Sequence, residues 1–181
     1  MYVPNVPVAG VTHSVLYLTA RNDIVYAYDA DSYGSGSPPG GLYWSASLVD
    51  DCAETVSGSG VNYPGTLASL TGIVPYLGIL STPVIDGVNG IIYVVNACNV
   101  TGPTHTGMQW YLNALRLGSG KPAVPPVMIA GAVTNSFGTT TFMPGIQLQR
   151  AALLLTRNAT AQPDIYIAFG AGTVEGASQA A

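Results

Sequence analysis

The side chains that could carry out chemistry in this chain are few and widely separated. His13 and His105 are the only histidines, and neither lies in a sequence motif of a metalloprotease or a nucleophilic hydrolase. Asp29 and Asp31 lie two positions apart, a spacing that places both carboxylates on one face of a strand, where they could bind a cation. A structural role for Asp29 is favoured, because aspartate accepts hydrogen bonds from backbone amides two residues further on and so closes turns. The sequence therefore predicts neither catalytic residues nor a metal site.

A polar pair, Gln149–Arg150, precedes an apolar segment. Because an unpaired buried charge is costly, Arg150 must either reach solvent or find a partner. The pair could line a central channel and bind a ligand, or it could donate a hydrogen bond to a carbonyl of a neighbouring element. The second interpretation is favoured, and Gln149 and Arg150 are the candidates for ligand binding under the first.

The two cysteines and the two glycosylation sequons indicate in which cellular compartment the protein is located. Cys52 and Cys98 are far apart in sequence, and neither has the CxxC or histidine spacing of a zinc site. They form a possible disulfide, which requires Cα atoms within about 7 Å of each other. Asn99 and Asn158 each begin an Asn-x-Thr sequon and are possible N-glycosylation sites. An extracellular or periplasmic location is expected, although no secretory signal peptide is evident at the N-terminus.

Composition excludes several classes of protein. The 181 residues are 48% hydrophobic and 8% charged, which is typical of a globular chain and not of a disordered one. The formal net charge is −4, and the five Lys and Arg residues do not cluster, so nucleic acid is not an expected partner. The longest apolar stretch, residues 73–85, is interrupted by prolines and is too short to span a membrane as a helix. We expect one domain, residues 1–181, with many turns because glycine and proline are abundant.

Alternation of apolar and polar residues predicts an all-β chain. Ser14–Ala20 and Ile24–Ala30 flank Arg21-Asn22-Asp23, a connection with the length and composition of a β-hairpin loop. Only Ile146–Leu155 has a claim to be helical, and it lacks the apolar stripe of an amphipathic helix. Further strands are predicted at Gly41–Leu48, Leu80–Ile85, Ile91–Asn96, Gln109–Leu117, Pro126–Ala130, Ala151–Thr156 and Asp164–Phe169.

Two parts of the chain repeat each other. Leu16-Tyr17-Leu18 aligns with Ile92-Tyr93-Val94, and Ala27–Ala30 aligns with Ala114–Leu117. The second copy contains a longer loop, predicted at Ala97–Met108. Each copy consists of a strand, a turn, a second strand, a glycine-bearing turn and a further strand. Units of four antiparallel strands arranged around an axis are the blades of a β-propeller.

Thr82–Asp86, Ile92–Val95 and Ala114–Lys121 together resemble one blade of the pyrroloquinoline-quinone-like propeller repeat, found in the quinoprotein-dehydrogenase-like superfamily. Val15–Asp31 resembles the neighbouring blade. The chain departs from the repeat at Arg116, where Asp or Asn is usual, and in having no Trp after Lys121. The resemblance implies an incomplete propeller of roughly two to two and a half antiparallel four-stranded blades. Its parts are an incomplete blade at 14–48, a full blade at 80–131, a half blade at 151–169 and a tail at 170–181.

Because none of the candidate catalytic residues forms a recognisable catalytic arrangement, we expect a non-catalytic section of an extracellular propeller of this kind, which acts as scaffold or binding surface for an unspecified ligand, with no cofactor. One alternative is a fragment of a quinone-dependent dehydrogenase, which would use pyrroloquinoline quinone and calcium. That branch has an adjacent cysteine pair, whereas Cys52 and Cys98 are separated. Another alternative is a carbohydrate-binding or adhesin module, if Trp44 and Trp110 are exposed on one face. The expected partners are the remaining blades of a longer parent chain or further copies of this chain, because open strand edges pair with other chains.

Overall fold

The computed structural model describes residues 1–31, 41–48, 78–101 and 106–171, and the regular elements in these ranges are β-strands and one 3-10 turn. No helix in this part of the chain is long and apolar enough to cross a membrane. The strands are β1 (Tyr2–Val8), β2 (Val11–Ala20), β3 (Ile24–Asp29), β4 (Leu42–Ser47), β5 (Val84–Asp86), β6 (Ile91–Thr101), β7 (Thr106–Arg116), β8 (Val127–Met128), β9 (Ala132–Asn135), β10 (Gly138–Thr141), β11 (Gln147–Leu148), β12 (Leu154–Arg157), β13 (Pro163–Tyr166) and β14 (Gly170–Ala171).

β1 to β4 form an antiparallel sheet in chain order, which we call the first sheet. The hairpin predicted around Arg21-Asn22-Asp23 is confirmed, with Ala20 opposite Ile24. Its three-residue loop ends at Asp23 in the left-handed conformation, φ 62°, as such loops require.

The first sheet has a fourth strand, β1, that the sequence analysis did not assign. It pairs with β2 through a two-residue turn, Ala9-Gly10, in which both residues have positive φ. Two prolines, Pro4 and Pro7, argue against a central strand, but β1 lies at the sheet edge, where an absent N–H is tolerated. The segment 14–48 is therefore three strands of a four-stranded sheet.

β5 to β8 form a second antiparallel sheet in chain order, the middle sheet. β6 and β7 pair continuously from Ile91 opposite Arg116 to Thr101 opposite Thr106. The prediction of a loop at Ala97–Met108 is therefore wrong for most of that range, because β6 and β7 both extend into it. His105, which falls within the predicted loop, lies outside the described residues. β5 is shorter than the strand predicted at Leu80–Ile85, because it begins only at Val84.

The remaining strands form three short pairs: β9 with β10, β11 with β14, and β12 with β13. We call the β12–β13 pair the third hairpin. The helix considered for Ile146–Leu155 does not form. That segment contains the end of a 3-10 turn at Pro144–Ile146, then β11 and the first residues of β12. Without a helical apolar stripe, the segment has no face that a helix could bury.

The middle sheet is buried on both faces. Ile92 and Val94 pack into a cluster with Val15, Tyr17 and Val25 of the first sheet. The alternate side chains, including Val95, Ala97 and Trp110, pack into a second cluster with Leu153 and Leu148. Burial of both faces explains the nearly continuous apolar sequence of β6. The described chain is thus a stack of the first sheet, the middle sheet and the third hairpin with its neighbours.

Candidate functional site

An open cleft of about 430 Å³ lies beside the second cluster, on the side of the middle sheet away from the first sheet. The connection between β8 and β9 forms one wall, β10 and Phe142 another, and Gln147, Ile167 and Phe169 contribute the rest. The described residues that line it include no acid, base, thiol or imidazole side chain. Such a cleft can bind an apolar molecule, but it has no group for proton transfer or nucleophilic attack.

Three aromatic side chains support this cleft. Phe169 stands edge-on to Trp110 with ring centroids 5.7 Å apart, and Phe142 stands edge-on to Phe169 at 4.7 Å. Trp110 is fully buried in β7, and its Nε1 donates to the carbonyls of Pro144 and Gln147, both at 3.2 Å. These hydrogen bonds fix the 3-10 turn and Gln147 against the middle sheet.

Gln147 is one of three described polar residues that line the cleft, with Thr140 and Thr141. Its Oε1 is buried and has no hydrogen-bond partner among the described residues. A buried amide oxygen without a donor costs free energy, on the order of 1–3 kcal/mol. Because this oxygen has almost no accessible surface, a molecule in the cleft would reach it only after the Gln147 side chain rotates.

The structure separates the predicted pair Gln149–Arg150. Gln149 is fully buried, and its Nε2 donates to the carbonyl of Ala151 at 2.7 Å. Arg150 is exposed, so it reaches solvent. Neither residue lines the cleft. The segment singled out from the sequence is close to the cleft, but the residue that enters it is Gln147, which has no distinguishing sequence signal.

Asp29 and His13, which the sequence offered as candidates for chemistry, make contacts within the first sheet and its turns. The Oδ1 atom of Asp29 accepts the backbone N–H of Asp31 at 2.9 Å, as expected for an aspartate that closes a turn. His13 lies in β2 and packs against Tyr43 with ring centroids 4.8 Å apart. Burial and the nearby Asp29 carboxylate raise the pKa of Tyr43 to about 12. Within the described ranges, no three His, Cys, Asp or Glu side chains are grouped to hold a metal ion.

Cys98 is buried on the face of the middle sheet toward the first sheet, and the Asn96 amide lies 3.5 Å from its sulfur. Cys98 takes part in a disulfide. Cys52 lies outside the described residues, so its role as the partner stays a prediction. Asn99 lies in β6, and its side chain is also outside the description. Asn158 is exposed in the β12–β13 loop, where its Oδ1 accepts the N–H groups of Thr160 and Gln162, both at 3.0 Å.

A buried ion pair that no sequence pattern indicates joins Asp86 and Arg157. The Asp86 side chain is 1% exposed at the end of β5, and Arg157 reaches it from β12. The same carboxylate accepts the N–H groups of Val88 at 3.1 Å and Asn89 at 3.2 Å, and the Asn89 amide at 2.7 Å. Burial raises the pKa of Asp86, but these donors and Arg157 together outweigh it, and the pKa is lowered.

Asp23 is the second buried carboxylate that the sequence did not indicate. It is 1% exposed between the first and middle sheets. Burial raises its pKa to about 7, and a hydrogen bond from Asn96 opposes part of that shift. Asn96 in turn accepts the Asn113 amide at 2.8 Å. Asp23, Asn96 and Asn113 therefore form a polar row inside an otherwise apolar contact between the two sheets.

Comparison of the chain with models of protein families, with curated proteins and with solved structures found no match in any of the three.

Proposed function

We propose that this chain is a non-catalytic section of an extracellular β-propeller built from pyrroloquinoline-quinone-like repeats, and that it serves as scaffold or binding surface. The proposal rests on the equivalence of the first and middle sheets. Each consists of four antiparallel strands in chain order, which is the construction of a propeller blade.

The cross-strand register supports this equivalence residue by residue. The sequence repeat aligns Tyr17 with Tyr93 and Ala27 with Ala114. In the first sheet Tyr17 lies opposite Ala27, and in the middle sheet Tyr93 lies opposite Ala114. Both tyrosines face the next layer of the stack, since Tyr17 packs in the first cluster and Tyr93 in the second. Two sheets with the same internal register, each packed on the next in the same sense, are expected of consecutive blades.

The cleft supports binding and not catalysis. Its described lining offers apolar and aromatic surface, the hydroxyls of Thr140 and Thr141 and the Gln147 amide, and no titratable side chain. A sugar-binding platform is less well supported, because Trp110 is fully buried and Trp44 is half-buried against Tyr17. Neither indole presents an open ring face on which a sugar could stack.

Two measurements test the proposal. An experimental structure should relate the first and middle sheets by a rotation about one axis, and a purely translational stack would contradict a propeller. Titration with pyrroloquinoline quinone and Ca²⁺, followed by absorbance, should show no saturable binding. Saturable quinone binding would instead favour the quinone-dependent dehydrogenase fragment.

A further inference from the structure

The outer face of the first sheet is apolar and uncovered in the described chain. It is formed by Tyr2, Leu16, Leu18, Tyr26 and Tyr28, which the strand register places on the same side. Tyr2 is 60% exposed, Leu16 36% and Leu18 46%. Single exposed apolar residues are ordinary, but a contiguous patch of five large side chains indicates an interaction site. We call this patch the outer face.

The repeat identifies what kind of structure covers such a face. Leu16 opposite Tyr28 in the first sheet corresponds to Ile92 opposite Leu115 in the middle sheet. Ile92 and Leu115 are buried, at 0% and 1% exposure, because the first sheet packs on them. Equivalent positions in equivalent sheets thus differ in whether another sheet of the described residues packs on them. The outer face therefore has the residues of a surface that is covered by another β-sheet.

The opposite end of the stack also has exposed apolar side chains on a β-hairpin. Leu154 and Tyr166 lie directly opposite each other in the third hairpin, and each is 57% exposed. The neighbouring residues Leu153 and Arg157 point the other way, toward the second cluster and Asp86. Leu154 and Tyr166 therefore face away from the middle sheet. We call this pair the hairpin face.

We propose that the outer face of one molecule binds the hairpin face of a second copy of this chain. This inference rests on the proposed function, because it continues the sheet-on-sheet stacking of consecutive blades across a molecular boundary. The contact is head to tail, so each molecule uses a different surface and keeps one surface free. Such heterologous contacts produce rings where the rotation closes and open chains where it does not.

Sedimentation velocity of the full chain between about 1 and 100 µM tests the contact. The wild-type chain should self-associate. The Leu16→Glu/Leu18→Glu variant should be monomeric over this range, because desolvating two carboxylates weakens the contact by about tenfold or more. Leu154→Glu should also be monomeric. Val88→Glu is the matched control, because Val88 is 81% exposed in the β5–β6 turn and should leave association unchanged. Circular dichroism and the urea midpoint of each variant establish that it is folded.

Mixing the two monomeric variants distinguishes this contact from all others. The Leu16→Glu/Leu18→Glu chain keeps an intact hairpin face, and the Leu154→Glu chain keeps an intact outer face. Their mixture should form a one-to-one heterodimer that cannot grow further. A monomeric wild-type chain, an assembly that survives both substitutions, or one that Leu154→Glu leaves intact would overturn the proposal. These outcomes leave the axis test and the quinone titration unaffected, so failure of this inference is separable from failure of the proposed function.

Discussion

Asp23 makes the contact between the first and middle sheets sensitive to pH. Its pKa is about 7 in the folded chain against an ordinary 3.8, so the folded state retains the proton more strongly. The stability that this group contributes is complete below about pH 4 and is lost as the pH rises to about 7. The shift corresponds to about 4 kcal/mol at most. Asp23→Asn keeps a residue that tolerates the left-handed conformation and removes the charge. Its unfolding free energy should therefore exceed that of the wild type at about pH 8 and approach it at about pH 4.

Urea denaturation of both chains across this pH range measures the effect. The difference between the two curves isolates Asp23 from every other titrating group. Asp31→Asn is the control, because Asp31 is an exposed aspartate that follows β3, at the end of that strand remote from Asp23. Parallel curves for wild type and Asp23→Asn would refute a raised pKa at this site.

Arg157 stabilises the chain by pairing with Asp86, a buried carboxylate whose pKa is lowered, whereas that of Asp23 is raised. Arg157→Gln leaves the buried Asp86 without its cationic partner and should lower the unfolding free energy by about 1–3 kcal/mol at neutral pH. This value lies between those of exposed and buried ion pairs, because the Arg157 side chain is 30% exposed. The pKa of Asp86 is lowered, so its contribution is present above its ordinary pKa and is lost as the pH falls below about 4.

The effect of Arg157→Gln should therefore shrink in acid. Chemical denaturation at neutral and acidic pH measures it, with the exposed Arg150→Gln as a matched control. An equal loss in both variants would mean that general charge, and not the pair with Asp86, accounts for the result.

At the scale of the elements, Trp110 holds the 3-10 turn and β11 against the middle sheet. Trp110→Phe keeps an aromatic ring but removes the donor to the carbonyls of Pro144 and Gln147. We expect a loss of about 1–2 kcal/mol in unfolding free energy and faster hydrogen exchange at residues 145–148. Trp44→Phe is the comparison, since it removes one indole hydrogen bond, to the carbonyl of Leu117. Faster exchange at 145–148 in both variants would contradict a specific role for Trp110.

The sequence predicted those strands whose local pattern and tertiary burial agree. β2, β3 and β6 alternate or run continuously apolar beside recognisable turns, and they appear close to their predicted positions. β1 was missed because prolines ordinarily disfavour strands, and its edge position is a tertiary property. β9 and β10 were missed because their residues are all exposed, so no burial pattern marks them.

The candidate site was less predictable than the strands. Asp86 and Arg157 are separated by 71 positions, and nothing local to either residue indicates the pair. Gln147 is distinguished from Gln149 only by where β11 places its amide relative to the cleft. Long-range contacts of this kind depend on how the layers stack, which periodicity and turn chemistry do not encode.

In the whole molecule, the middle sheet links two otherwise separate hydrophobic clusters. One cluster joins it to the first sheet, and the other joins it to Leu153, Phe169 and their neighbours. Opening β6 or β7 would expose side chains of both clusters at once. Opening the β9–β10 hairpin would expose almost nothing, because its eight strand residues are already in solvent.

This difference in cost predicts the order of native-state hydrogen exchange. Amides of β6 and β7 between Ile92 and Ala97 and between Trp110 and Leu115 should be the slowest to exchange, near the global unfolding free energy. Amides of β9 and β10 should exchange fastest among the paired strands, and those of the first sheet should lie between, because the described residues cover that sheet on one face only. Exchange monitored by NMR or mass spectrometry gives this order directly. If the first sheet and the middle sheet exchanged at the same rate, the stack would open as a single unit, and burial on two faces would not be what stabilises its central layer.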